Sequence, residues 1–170
     1  VANDTVNGEP LVYLYNASGV VVSNAGQVIA INSRDIKLMN MNLSYASVGV
    51  EFWNVNDSEM ENITITGNNW NGIVITGSND TISSSTIASN SFDGLNITGS
   101  NDIISNSNVS GGRNGIDITG SNDAVSNSTM SGTDGGLTIT GSNDIISNST
   151  ISGSGYGIHS TISGSGYGIY

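Results

Sequence analysis

Five aspartates recur at nearly constant spacing: Asp57, Asp80, Asp102, Asp123 and Asp144. The last four each close a six-residue run, Ile-Thr-Gly-Ser-Asn-Asp, that starts at Ile75, Ile97, Ile118 and Ile139, in steps of 22, 21 and 21 residues. Carboxylates stacked at such a spacing repel one another, so the column either recruits a hard cation such as calcium or is held by hydrogen bonds from turn amides. Hydrogen bonding is the expected outcome, because Asp in an Asn-Asp turn accepts a nearby backbone N–H. Calcium on Asp80, Asp102, Asp123 and Asp144 is the one cofactor the sequence leaves open.

Asp117 is the other place where chemistry could sit, with Arg113 at the preceding turn and Val74, Asn96 and Thr138 as its column neighbours. Polysaccharide lyases and hydrolases need a cation near the cleaved bond or two opposed carboxylates on one face. One Asp/Arg pair in a regular repeat reads as surface variation, so no catalytic residue is assigned. Trp53, Trp70, Phe92, Tyr156 and Tyr167 could stack sugars along one edge, although only Trp70 and Phe92 share a column. Packing between neighbouring units is their expected role.

The elements that carry these residues are short. Each unit opens with β-branched residues and runs into Gly, Ser, Asn and Asp, which is strand chemistry followed by turn chemistry. A period in the low twenties with strands inside the unit predicts an all-β parallel solenoid of about six to seven coils of 21–23 residues. Four apolar columns line its core. The first is Val28, Val50, Ile73, Leu95, Ile116, Leu137 and Ile158, and the second, two residues on, is Ala30, Phe52, Ile75, Ile97, Ile118 and Ile139. Leu38, Met60, Ile82, Ile104, Val125 and Ile146 form a third, and Leu43, Ile65, Ile87, Val109, Met130 and Ile151 a fourth.

Between the third and fourth columns runs a polar one: Asn40, Asn62, Ser84, Asn106, Asn127 and Asn148. Strand alternation predicts that these residues point inward as an asparagine ladder, each amide pairing with its neighbour about 4.8 Å away. Glycines before the first strand of each coil, Gly49, Gly72, Gly94, Gly115, Gly136 and Gly157, predict positive φ or close approach between coils.

Three regions follow. Residues 1–26, with the single proline Pro10, read as an N-terminal β cap; 27–158 as the coils; and 159–170 as an irregular or terminal half-coil with an open end. There Ser149–Ile158 is repeated identically at Ser160–Ile169. The start at Val1 and the open end suggest a mature or excised segment.

Composition narrows the function classes. Fourteen acidic residues stand against Arg34, Lys37 and Arg113, a net charge of −11 that excludes the clustered basic surface nucleic acid requires. No apolar stretch is long enough to span a membrane. Ten Asn-X-Ser/Thr sequons favour an extracellular setting, with glycosylation expected at Asn3, Asn16, Asn42, Asn56, Asn79, Asn96 and Asn108. Asn62, Asn127 and Asn148 are expected to be too buried in the ladder to carry sugar.

The runs NGEPLVYLYNASG, NAGQVIAIN, DIKLMNMNLS and SVGVEFW, followed by Asn/Ser/Gly-rich coils, resemble the NosD-like β-helix repeat proteins of archaeal and bacterial surfaces. The resemblance implies a right-handed parallel β-helix. The copper association of that family is not expected here, since a soft site needs clustered His, Cys or Met and the chain has only His159, no Cys and dispersed methionines. The functional expectation is a non-enzymatic extracellular structural protein, a module of a surface layer, sheath, adhesin or fibre that self-associates into a homo-oligomer or filament. The alternative is a carbohydrate-binding or polysaccharide-processing β-helix domain.

Overall fold

The computed structural model describes residues 4–162 and 168–169, and their side chains except at 156, 159–162 and 168–169. The chain winds into a parallel β-solenoid of about six turns, with no helix among the described residues. From Val50 on, each complete turn contributes one strand to each of three faces. The longest face begins with Glu9–Tyr15, passes through the first half of Gln27–Met39, and continues with Val50–Asn56, Ile73–Thr76, Leu95–Ser100, Asn114–Ser121, Gly135–Ser142 and Tyr156–Ile162. The third face is a separate five-stranded sheet from Thr64–Thr66 to Thr150–Gly153.

The apolar columns stack in the expected register. Val28 pairs with Val50, Val50 with Ile73, Ile73 with Leu95, Leu95 with Ile116 and Ile116 with Leu137. All four columns are buried except at the last rungs of the first and fourth, where Ile158 and Ile151 are only partly covered. Burial of these branched side chains supplies the main drive for folding, since strands of three residues have little hold of their own.

The corners differ from expectation. Asn40, Asn62, Ser84, Asn106, Asn127 and Asn148 do not point inward: all six are exposed, with φ between 49° and 55°. A left-handed residue turns the chain, so strand alternation does not carry through it and the following residue faces the interior instead. At this corner those residues are Ile63, Ser85, Ser107, Ser128 and Ser149, and the hydroxyls make the ladder. The amide of Ile63 donates to Ser85 Oγ, that of Ser85 to Ser107 Oγ, that of Ser107 to Ser128 Oγ and that of Ser128 to Ser149 Oγ, each at 3.2 Å. The asparagines pair on the outside, as where Asn62 Nδ2 donates to Asn40 Oδ1 at 2.7 Å.

The N-terminal segment also differs. Glu9–Tyr15 and Ser18–Val22 pair in parallel with Gln27–Met39, placing Val12 beside Val28 and Val22 beside Leu38, so residues 9–22 are a coil in register. Among the described residues only Thr5–Val6 runs antiparallel, folding over the first corner against Gly26. At the other end, Leu137 pairs with Ile158 and Thr140 with Thr161, so register continues beyond 158 into the segment expected as an irregular or terminal half-coil. Residues 163–167 of the second duplicated copy lie outside the described residues.

Glycine is required by proximity where coils touch. A Cβ on Gly120 would overlap the carbonyl oxygen of Gly99 on the preceding coil and come within 2.8 Å of Asp123 Oδ2. Gly120→Ala is therefore expected to destabilise the protein by about 1–3 kcal/mol or more in chemical denaturation, whereas exposed Thr119→Ala should stay within about 0.5 kcal/mol of the parent.

Candidate functional site

The aspartate column is internal. Asp80, Asp102, Asp123 and Asp144 are buried, each just after a left-handed Asn that turns the corner between the first and second faces. The amide of Ser58 donates to Asp80 Oδ1, that of Asp80 to Asp102 Oδ1 and that of Asp102 to Asp123 Oδ1, all at 2.9 Å; that of Asp123 donates to Asp144 Oδ1 at 3.0 Å. Asp57 does not belong to this column. An extra residue, Asn54 at φ 55°, sits between Trp53 and Val55, so Ser58 takes the inward place and Asp57 turns outward at φ 57°, accepting from Asn79 Nδ2 at 3.1 Å.

The second oxygen of each buried carboxylate has no hydrogen-bond partner. Burial drives the pKa values upward: Asp80 to about 7, Asp102 to about 6 and Asp123 to about 7, with Asp144 also raised. Amide donation from the preceding coil opposes the shift, while neighbouring carboxylates add to it for Asp80 and Asp123. Calcium takes six to eight oxygen ligands; these carboxylates stand in single file with one oxygen each committed to an amide. Among the described residues no cluster of three or more His, Cys, Asp or Glu is arranged to hold a metal.

Several sequons reach solvent. Asn16, Asn42, Asn79 and Asn108 are exposed, and so, against expectation, are the corner residues Asn62, Asn127 and Asn148. Asn56 and Asn96 are half-buried, and the Asn56 side chain accepts from the Ser78 amide at 2.9 Å. Asn3 lies outside the described residues.

One line of surface side chains runs along the corner that leads into the longest face. Main-chain hydrogen bonds place Trp70, Phe92, Arg113 and Asp134 directly over one another on successive coils. The Trp70 and Phe92 rings stack with centroids 4.5 Å apart and planes inclined by 8°. Arg113 continues the stack, its guanidinium 5.0 Å from the Phe92 ring, and its Nε lies 3.7 Å from Asp134 Oδ2. Phe92 is thus covered on both faces and cannot itself serve as a sugar platform. The stack ends at Trp70, because the residue one coil earlier is Ser47, too short to cover an indole.

Beyond Arg113 lies a groove of about 360 Å³ lined by Arg113, Asn114, Asp117, Asp134 and Thr138. Asn114 is buried and held by Asp93: its amide donates to Asp93 Oδ1 at 3.1 Å, and the Asp93 amide donates to Asn71 Oδ1 at 3.0 Å. Burial raises the Asp93 pKa, opposed by the Asn114 amide and by the charge of Arg113. This inner support was not foreseen, although its signal was the residue preceding each column glycine: Asn71, Asp93 and Asn114 before Gly72, Gly94 and Gly115.

The groove opens onto the outer side of the longest face. Register aligns Tyr13, Ile29, Glu51, Val74, Asn96, Asp117 and Thr138 in one outward row. Tyr15, Ile31, Trp53, Thr76, Thr98, Thr119 and Thr140 form the row beside it. Tyr13, Tyr15 and Trp53 are 44%, 58% and 44% exposed, so one end of the face is aromatic and the other rich in hydroxyls and acid. The two tyrosines escape a reading that assigns residues 1–26 to a separate cap. Tyr167 and the side chain of Tyr156 lie outside the described residues.

A family model described as the right-handed β-helix region matches residues 48–167. Among solved structures, the A-module of mannuronan C-5 epimerase from Azotobacter vinelandii superposes with a TM-score of 0.63 at 13% identity, over 94% of this chain and 56% of that one. A pectate lyase superposes with a TM-score of 0.47 at 13% identity, over 88% of this chain and 56% of that one. The chain therefore spans little more than half of either, and at such identity the first likeness shows the fold alone. No curated protein matches in sequence.

The acid ladder generates a pH dependence with a definite sign. Its pKa values are raised above the ordinary 3.8, so the folded state holds protons more tightly than the unfolded chain. The stabilisation is fully present below about pH 4 and is lost as pH rises through 6 to 7. Thermal melts should show a falling midpoint across that window, the reverse of ordinary acid denaturation. Asp123→Asn keeps the acceptor without the charge and should recover about 1–3 kcal/mol at pH 8 while flattening the slope.

Proposed function

The chain belongs to the right-handed β-helix family, and within it we propose that this member is a polysaccharide-binding domain whose ligand lies along the outer side of the longest face. The observation that carries the reading is the segregation of surface chemistry. Tyr13, Tyr15 and Trp53 occupy one end of the face, and the groove of Arg113, Asp117, Asp134 and Thr138 the other. Neither group is required by the inward ladders that hold the solenoid together.

A linear sugar polymer suits this face physically. The coils repeat about every 4.8 Å along the axis, close to the advance of one sugar residue, so successive coils can address successive sugars. Aromatic rings stack on the C–H faces of sugars, and Asn, Thr and Asp side chains exchange hydrogen bonds with hydroxyls. The mannuronan epimerase that shares the fold acts on a polysaccharide, which agrees with this choice of ligand class. Asp117 and Asp134 also line one groove, so processing of the bound polymer is the natural extension. An extracellular setting accords with such a ligand and with the exposed sequons. A purely mechanical rod would give no reason for this clustering on one face.

Glycan-array binding followed by reducing-end assay tests the reading. The parent protein should retain at least one polysaccharide, and Asp117→Asn should weaken retention about tenfold with an unchanged melting midpoint. Binding to no polysaccharide, or equal binding by the variant, would overturn it and return the weight to self-assembly.

A further inference from the structure

Resting on that reading, we infer that the polysaccharide taken by this face is uncharged, and that polyuronates are rejected. The chain has three cationic side chains apart from His159, and each is already engaged. Lys37 Nζ lies 3.2 Å from Glu59 Oε2. Arg34 Nε donates to Ser18 Oγ at 3.4 Å. Arg113, the one cation lining the groove among the described residues, is shared between the Phe92 ring and Asp134. The other charged residues along the face and groove, Glu51, Asp117 and Asp134, are all acidic, within a chain of net charge −11.

A polyuronate carries one carboxylate per sugar, so a polymer laid along the axis would present a negative charge at about every coil. Such a chain meets like charge at the groove and no unengaged cation among the described residues, and the repulsion extends over the Debye length of about 8–10 Å. Recognition of a carboxylate favours a guanidinium fork held ready for it. Here the guanidinium at the groove lies over the Phe92 ring with its Nε 3.7 Å from Asp134 Oδ2.

The same face is built for uncharged sugars. Glu51 accepts from Gln27 Nε2 at 3.3 Å through one oxygen and from Trp53 Nε1 at 3.4 Å through the other, so both oxygens are occupied and the indole is oriented. Trp53 stands two coils beyond Tyr15 in the same row, a separation of about 10 Å, which is close to the length of a disaccharide. Asp117 then serves as an acceptor for sugar hydroxyls, a charge-assisted bond that a neutral ligand can make without repulsion.

Affinity electrophoresis of the full chain through gels containing soluble xylan or glucomannan, against gels containing polygalacturonate or polymannuronate, separates the outcomes. Retardation by a neutral polymer, unchanged between low and high salt and weakened about tenfold by Trp53→Ala and by Tyr15→Ala, is expected, with circular dichroism checking that both variants fold. Retardation by a polyuronate with none by neutral polymers would overturn the charge assignment while leaving polysaccharide binding intact. No retardation in any gel would overturn both.

Discussion

The solenoid depends on how each corner satisfies its backbone. Within a strand the amides find carbonyls on the neighbouring coils, but at a corner the residue after the left-handed turn points its side chain inward and its N–H along the axis. A buried N–H left unpaired costs on the order of 1–3 kcal/mol, and the penalty would recur on every coil. The chain answers with a short oxygen-bearing side chain on the neighbouring coil: Asp80 for Ser58, Ser85 for Ile63, Asn68 for Ala46. One grammar, an outward left-handed residue followed by an inward acceptor, thus serves the first two corners, and an inward Asn does the same work at the third.

The choice of acceptor sets the chemistry of each corner. Serine at the second corner both accepts an axial amide and donates its hydroxyl to its own strand, as Ser107 Oγ does to Ser105 O at 2.8 Å. Aspartate at the first corner accepts the same amide but leaves its other oxygen buried and unpartnered, packed beside the glycine three residues before it. An ionised column there is strained by desolvation and by its own neighbours, and protonation relieves both. Glycine and aspartate are coupled at this corner, since the missing Cβ makes room for the coil above and for the carboxyl group.

Because the ladders and the apolar columns supply cohesion, the outward rows are free to vary. That freedom makes the outer side of the longest face informative. Its aromatic end and its acidic end differ although both rest on the same backbone register, and the groove beside Arg113 is braced from within by the buried Asn71, Asp93 and Asn114 series. Arg113 is fixed by ring stacking on one side and by Asp134 on the other, so its charge is held in place and partly neutralised. A rigid, flat surface with preset side chains suits a polymer that is itself stiff.

The sequence alone determined the period, the three-stranded coil and the four apolar columns, because Val28, Val50, Ile73 and their successors repeat with a side-chain alternation that only one packing can bury. It also carried the pairing of Trp70 with Phe92, which depends only on the repeat length. What it could not decide was which way a residue faces at a corner: the exposed Asn62 and the inward Ser85 belong to one two-residue unit, and a single left-handed φ reverses the direction that alternation would assign. The same limit hid the extra residue at Asn54 that displaces Asp57 from the acid column. Tyr13 and Tyr15 joined the outer face only once residues 9–22 paired in parallel with the next coil. Strand periodicity is local and survives in one dimension, whereas corner direction and register between coils are fixed by hydrogen bonds to residues about 22 positions away, which only the folded chain brings together.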